Sequence, residues 1–239
     1  MIIERYDYFL LDLDRTLWDF DANALAAMHM LLDKWDLPIG EREIFFERYE
    51  VINRRLWDDY EAGIIAKEYL RRERFHQTLR DHYGIDDVDA AEQMGKEYLD
   101  FMALGDILMP GARKVLEAIA VRGGKMAIVS NGFKEVQYRK LRISKIDHFF
   151  SAVMISEEVG VHKPDPLIFH KALEALCGEG VEIDDNIKSR TIMIGDDYPN
   201  DIEGAINFGI DSFYYDPSNK ENPGNAVWHS RDLLSLLSN

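Results

Sequence analysis

The sequence predicts an α/β protein whose parallel sheet is interrupted, after its first strand, by a domain made of helices alone. Three observations carry this reading. Five short apolar runs look like buried strands: YFLLDLD from Tyr8, KMAIVSN from Lys125, FFSAVMIS from Phe149, TIMIGD from Thr191 and DSFYYD from Asp211. The last four alternate with segments of helical periodicity, the signature of a parallel sheet with helices on both faces. Between the first two runs, from about Phe20 to Leu104, no convincing strand occurs.

Taken in order, the first run leads straight into Asp12 and Asp14. The insertion follows as four amphipathic segments, 21–35, 41–63, 66–84 and 86–103, punctuated by Pro38, Gly63 and Gly84. Beyond it, GARKVLEAIAVRG (111–123) has apolar residues at helical spacing and a glycine stop, and KEVQYRKLRI (134–143), PLIFHKALEAL (166–176) and PNDIEGAINFG (199–209) behave likewise. The expected organisation is a Rossmann-like core of residues 1–17 and 106–239 holding an all-helical insertion over 18–105.

Composition narrows the partners. The chain has 239 residues, 46% of them hydrophobic, which is ordinary for a globular protein. Asp and Glu number 44 against 28 Lys and Arg, a net charge of −16. A field of that sign repels nucleic-acid backbones and anionic membranes, so no nucleic-acid polymer and no membrane is expected as a partner. A phosphate ligand would then need a local positive site. Cys177 is the only cysteine, which suits a reducing compartment, and no apolar run approaches a membrane span. The N-terminus carries acids inside its apolar run and does not read as a signal peptide. The expectation is a cytoplasmic protein, monomeric or weakly dimeric.

In an open α/β sheet, ligands bind outside the carboxyl ends of the strands. Asp12 and Asp14 fall there, as do Ser130 and Asn131, and Asp196 and Asp197 with Asp201 just beyond. Lys163 precedes the helix that begins near Pro166. Two like charges one residue apart are costly unless a cation or a proton lies between them. A divalent cation between Asp12 and Asp196 would relieve the repulsion of those two, and Mg²⁺ favours a few carboxylates, waters and phosphate oxygens. Lys163 and the Ser130 hydroxyl are suited to the other phosphate oxygens, with Thr16 and Asn131 beside them. A carboxylate beside phosphorus can attack it, and a second can protonate the leaving oxygen. Asp196, Asp197 and Asp201 are also open to a plainer reading, as caps of the helix at Pro199.

DLDRT (12–16), VSNG (129–132), KPDP (163–166) and IGDDYPND (194–201) stand in order at strand ends. Together they resemble the four motifs of the haloacid dehalogenase-like hydrolase superfamily, over the whole chain and with a helical cap after the first motif. The resemblance implies Asp12 as nucleophile, Asp14 as general acid and base, and Ser130 and Lys163 on the phosphate. It implies Mg²⁺ held by Asp12, the backbone carbonyl of Asp14, and Asp196, with Asp197 and Asp201 in support. Arg15 departs from the family, which often has glycine there, and puts the loop's shape in question.

The carboxyl group at Asp14 favours phosphate chemistry over dehalogenation, since the dehalogenases lack an equivalent acid. A helical lid favours small substrates. VINRRLWDDYEAG (51–63), SNGF (130–133) and ISEEVGVHKP (155–164) further resemble the bacterial nucleotidases that act on pyrimidine nucleoside monophosphates. The expected substrate is a small phosphomonoester of that kind, with Trp18, Asn53, Trp57 and Phe133 as candidates to meet the base. A phosphoglycolate or sugar-phosphate phosphatase is the alternative; a phosphomutase, a dehalogenase and a non-catalytic binding protein stand behind it.

Overall fold

The computed structural model describes residues 1–37, 40–218 and 225–238, so Pro38 lies outside the described residues. Its strands are β1 (Tyr8–Leu11), β2 (Lys125–Ser130), β3 (Ala152–Ile155), β4 (Thr191–Gly195), β5 (Asp211–Tyr215) and β6 (Trp228–Ser230). They form one sheet in the order β3-β2-β1-β4-β5-β6, parallel throughout. This is the Rossmann-like order, with the topological switch between β1 and β4. Tyr8 faces Lys125 on one side and Thr191 on the other, so the ends of β1, β2 and β4 lie side by side.

The helices are α1 (Phe20–Trp35), α2 (Arg42–Glu61), α3 (Lys67–Tyr83), α4 (Val88–Met102), α5 (Ala112–Val121), α6 (Lys134–Ile143), α7 (Ser156–Val159), α8 (Pro166–Cys177), α9 (Asp185–Ser189) and α10 (Gly204–Phe208). None of the described helices is long and apolar enough to cross a membrane. The chain divides into two compact units, Met1–Phe20 with Asp106–Asn239, and Asp21–Gly105.

In the sheet unit, side chains alternate between faces along each strand. Leu10, Ala127, Val129 and Met193 point one way, onto Ile168, Phe169, Ala172 and Leu173 of α8 and Ala205 and Phe208 of α10. Phe9 points the other way, where it and Ile119 of α5 close on Gly124. Both faces of β1 are therefore covered, which is why its sequence is continuously apolar rather than alternating. The start of α8 is written locally. Pro166 sits in its first turn and the Asp165 carboxylate accepts the Leu167 N–H at 2.8 Å.

The helical unit buries a cluster of rings. Tyr49 of α2, Phe75 of α3 and Tyr98 of α4 lie with centroids 4.8 to 5.6 Å apart. The guanidinium of Arg74 sits over all three at 5.2 to 5.9 Å. Aromatic pairs of this geometry add roughly 0.5–1.5 kcal/mol each beyond their burial. Glu97 ties α4 to α1 by accepting from Lys34 Nζ and from Trp35 Nε1, each at 2.8 Å.

Two differences from the sequence expectation stand out. The three-residue β6 has no matching apolar run, since His229 and Ser230 give it none. The predicted helix over 199–209 is a π-helical turn, Tyr198–Glu203, that runs into the short α10.

Candidate active site

Asp12 follows β1 directly. Its N–H still bonds the Ile194 carbonyl at 2.9 Å, so the chain keeps step with β4 one residue beyond the strand. The loop then closes tightly. The N–H groups of Leu17 and Trp18 both reach the Leu13 carbonyl, at 3.0 and 2.8 Å. Arg15 sits at the bend with a left-handed φ of 62°. That conformation costs a residue with a Cβ about 1–2 kcal/mol, which explains a glycine at this position. Arg15 keeps the bend, and its guanidinium lies 4.3 Å from the centre of the Phe20 ring.

Carboxylate oxygens of Asp12, Asp196 and Asp201 lie within 4.8 Å of one another. The Lys163 ammonium donates to Asp12 Oδ1 and to Asp201 Oδ1, both at 2.6 Å. Asp12, Asp201 and Lys163 are all buried. Gly195 makes room for this packing: a Cβ there would lie 2.2 Å from Asp201 Oδ2. Lys163 bonds two of these three carboxylates, so the cluster keeps a surplus of negative charge, and the titration of the group reflects it. Burial, with the charge of Asp12 added, pushes the Asp196 carboxyl up to about 7. Burial raises Asp12 and Asp201 as well, against the pull of Lys163. For Lys163, burial acts against the ammonium, but Asp12 and Asp201 outweigh it and the proton is held more tightly than usual. A hard, all-oxygen donor set with unneutralised charge is the kind that Mg²⁺ fits.

Asp14 faces different partners. Its Oδ1 accepts from Lys140 Nζ at 2.6 Å and its Oδ2 from Gln137 Nε2 at 2.8 Å. The two carboxylates of DLDRT are therefore held by different partners, one by Lys163 and one by α6. Burial lowers the pKa of Lys140, with Asp14 opposing that shift. Ser130 ends β2, and its Oγ accepts from Gln137 Nε2 at 2.7 Å and from the Gly132 N–H at 3.1 Å.

A family model described as haloacid dehalogenase-like hydrolase matches residues 6–209. The chain belongs to the haloacid dehalogenase-like hydrolases. This hydrolase is 31% identical, over 97% of its length and 95% of the relative's, to the pyrimidine 5′-nucleotidase PynA of Streptococcus pneumoniae. It is 30% identical, over 92% of its length and 90% of the relative's, to the pyrimidine 5′-nucleotidase YjjG of Escherichia coli. Among solved structures, the HAD-hydrolase YfnB of Bacillus subtilis, bound to magnesium, matches with a TM-score of 0.82. It is 27% identical, and the match covers 97% of each chain.

Within the hydrolase, some residues singled out from sequence do other work than expected. Thr16 was expected on phosphate, but it is fully buried and its hydroxyl donates to Asp196 Oδ1 at 3.0 Å. Asn131, also expected on phosphate, uses both ends of its amide on the backbone of Lys163, accepting its N–H at 2.8 Å and donating to its carbonyl at 3.1 Å. It splints the lysine. Asp197 caps the π-helical turn by accepting the Asn200 N–H at 2.9 Å, and it is exposed. Asp201, read from sequence as a supporting residue open to a capping role, does both: its Oδ2 accepts the N–H of the N-cap residue Asp197 at 3.2 Å, and its Oδ1 turns inward onto Lys163.

The base-contact candidates also divide. Trp18 is fully buried, with Lys140 Nζ 4.2 Å from its ring centre, and Phe133 is buried at the N-cap of α6. Neither offers an open aromatic face. In the helical unit, Asn53 is buried and its Oδ1 accepts from Arg74 Nη1 at 3.4 Å. Trp57 is half-buried and meets Tyr60 edge to face at 5.6 Å.

Gln137 and Lys140 were missed from sequence. The signal lay in the buried stripe of α6, Val136, Gln137, Lys140 and Leu141, where two polar side chains share a face with two apolar ones. A lysine on a helix is ordinarily taken for a solvated one.

Proposed function

We propose that this hydrolase removes the phosphoryl group from small phosphomonoesters, foremost pyrimidine nucleoside 5′-monophosphates, by way of an aspartyl phosphate on Asp12. The observation that carries the reading is the separate engagement of two carboxylates one residue apart, Asp12 by Lys163 and Asp14 by α6. A nucleophile and an acid–base group need that separation.

Asp12 attacks phosphorus and forms the new O–P bond as the bond to the leaving oxygen breaks. Asp14 gives that oxygen its proton. It then takes a proton from water, which attacks phosphorus and releases Asp12 and inorganic phosphate. Ser130, through its hydroxyl, and the remaining N–H of Lys163 hold the phosphate oxygens. Asp12, the Asp14 carbonyl and Asp196 would hold Mg²⁺, with Asp201 and Lys163 setting the charge around them. When bound, the ion supplies positive charge that lets a dianionic ester approach these carboxylates.

The nucleotide preference rests on the two relatives with that activity in their names, each matched over at least nine-tenths of both chains. We also place the enzyme in the cytoplasm, as a monomer or weak dimer.

The test is kcat/KM for UMP, dUMP, dTMP, AMP, ribose 5-phosphate and phosphoglycolate, with Mg²⁺ and again after EDTA. Pyrimidine nucleotides are expected to lead, and all activity is expected to vanish with EDTA and return with Mg²⁺. A lead of about tenfold or more for phosphoglycolate or ribose 5-phosphate would leave a phosphatase but remove the nucleotidase. Full turnover in rigorously metal-free protein would remove the role of Mg²⁺.

A further inference from the structure

Asp14 acts twice in the proposed reaction, and one helix holds both of its oxygens. Gln137 and Lys140 stand three residues apart on α6, which places them on one face. Both are buried, and they take Asp14 Oδ2 and Oδ1 at 2.8 and 2.6 Å. One contact would fix the carboxylate's distance; two, on different oxygens, also fix its plane. Lys140 is itself held from another side, its ammonium 4.2 Å from the centre of the Trp18 ring and 5.4 Å from that of Phe20.

The same Gln137 nitrogen reaches Ser130 Oγ at 2.7 Å, and the Gly132 N–H reaches it at 3.1 Å. A hydroxyl offers two lone pairs and one proton. With both lone pairs taken, Ser130 has only its proton left to give, which is what a phosphate oxygen needs. Gly132 is required for the approach, since a Cβ there would lie 2.2 Å from Gln137 Nε2.

We propose that Gln137 and Lys140 are positioning residues: together they lock Asp14 in its acid–base pose, and Gln137 also holds Ser130 as a hydrogen-bond donor. This rests on the phosphatase reading above. It differs from a merely stabilising ion pair in what it predicts for kinetics. Lys140 donates its hydrogen bond to Asp14, so its loss falls on kcat and most on substrates that need a proton. Gln137 acts through Ser130 as well, so its loss also raises KM.

The experiment places Lys140→Met, Lys140→Arg and Gln137→Leu in the wild-type chain and in Asp14→Asn, and reads kcat and KM for p-nitrophenyl phosphate and for UMP. In the wild-type chain, Lys140→Met is expected to lower kcat on UMP by about 10- to 100-fold, the scale of a small misplacement of a reacting group. The loss on p-nitrophenyl phosphate, whose leaving group needs little help, is expected to be much smaller. Lys140→Arg keeps a charged donor and restores most of the rate. In Asp14→Asn, Lys140→Met is expected to cost less than about twofold, because its route of action is already gone. Equal losses in both backgrounds, or equal losses on both substrates, would overturn the clamp. Should Lys140→Met fail to fold, Gln137→Leu, which removes no charge, carries the same comparison in kcat, while its effect through Ser130 is read separately in KM and persists in Asp14→Asn. Wild-type protein inactive on every phosphomonoester fails the phosphatase reading and the clamp with it; active protein with additive losses fails the clamp alone.

Discussion

Asp12→Asn is expected to abolish turnover and leave the fold intact. The amide keeps the volume of the side chain and an oxygen that can accept from Lys163. It cannot attack phosphorus, and it contributes no charge toward a metal. The fold should tolerate the change because Lys163 is not orphaned: its second partner, Asp201, remains at 2.6 Å. One of three crowded carboxylates is also removed. Removing a covalent nucleophile outright costs a factor of at least about 10⁴ in kcat. Acid-quenched reactions provide the direct check, with phosphate label on the wild-type protein and none on the variant. A variant that turns over at the wild-type rate would end the covalent mechanism.

Lys163→Met is expected to do harm of a different kind, to stability as well as to activity. The lysine is the only cation within hydrogen-bond reach of both Asp12 and Asp201 among the described residues. Methionine fills the space and leaves two buried carboxylates facing each other. Breaking a buried ion pair by removing one partner costs about 3–5 kcal/mol, since the survivor keeps the desolvation cost without the attraction. Urea denaturation of wild type and variant reads this loss. Mg²⁺ should recover more stability in the variant than in the wild type, because a divalent cation supplies the charge that was removed. A variant as stable as the wild type would show that the cluster does not depend on this lysine.

Much of this was legible in the sequence, for reasons that can be named. β1, β2 and β4 lie inside the sheet, and burial on both faces writes them as unbroken apolar runs. The helices of the insertion show because each must turn an apolar stripe toward its neighbours. Asp12, Ser130 and Asp196 could be brought together because they stand at the ends of β1, β2 and β4, which share one edge of the sheet. What remained hidden depends on where a side chain points. Nothing in the order of residues tells that Asp197 bonds the backbone ahead of it while Asp201, four residues on, reaches back to the Asp197 N–H with one oxygen and in to Lys163 with the other. That outcome belongs to the π-helical turn, a local change of pitch with no simple sequence signal. Trp18 invited a reading as a substrate contact because it follows the catalytic loop, yet the tight bend at Arg15 folds it into the interior.

The central place of β1 has a consequence for how the molecule is made. β1 is made before the other described strands, and its ladder partners begin only at Lys125 and at Thr191. The whole of Asp21–Gly105 is synthesised in the meantime, and its helices pack against close neighbours in the chain. Local contacts form early and distant ones late. The helical unit should therefore gain protection from hydrogen exchange while Phe9, Leu10 and Leu11 are still unpaired. This buried apolar stretch waits longest for its partners, and transiently exposed apolar surface of that kind is prone to aggregate.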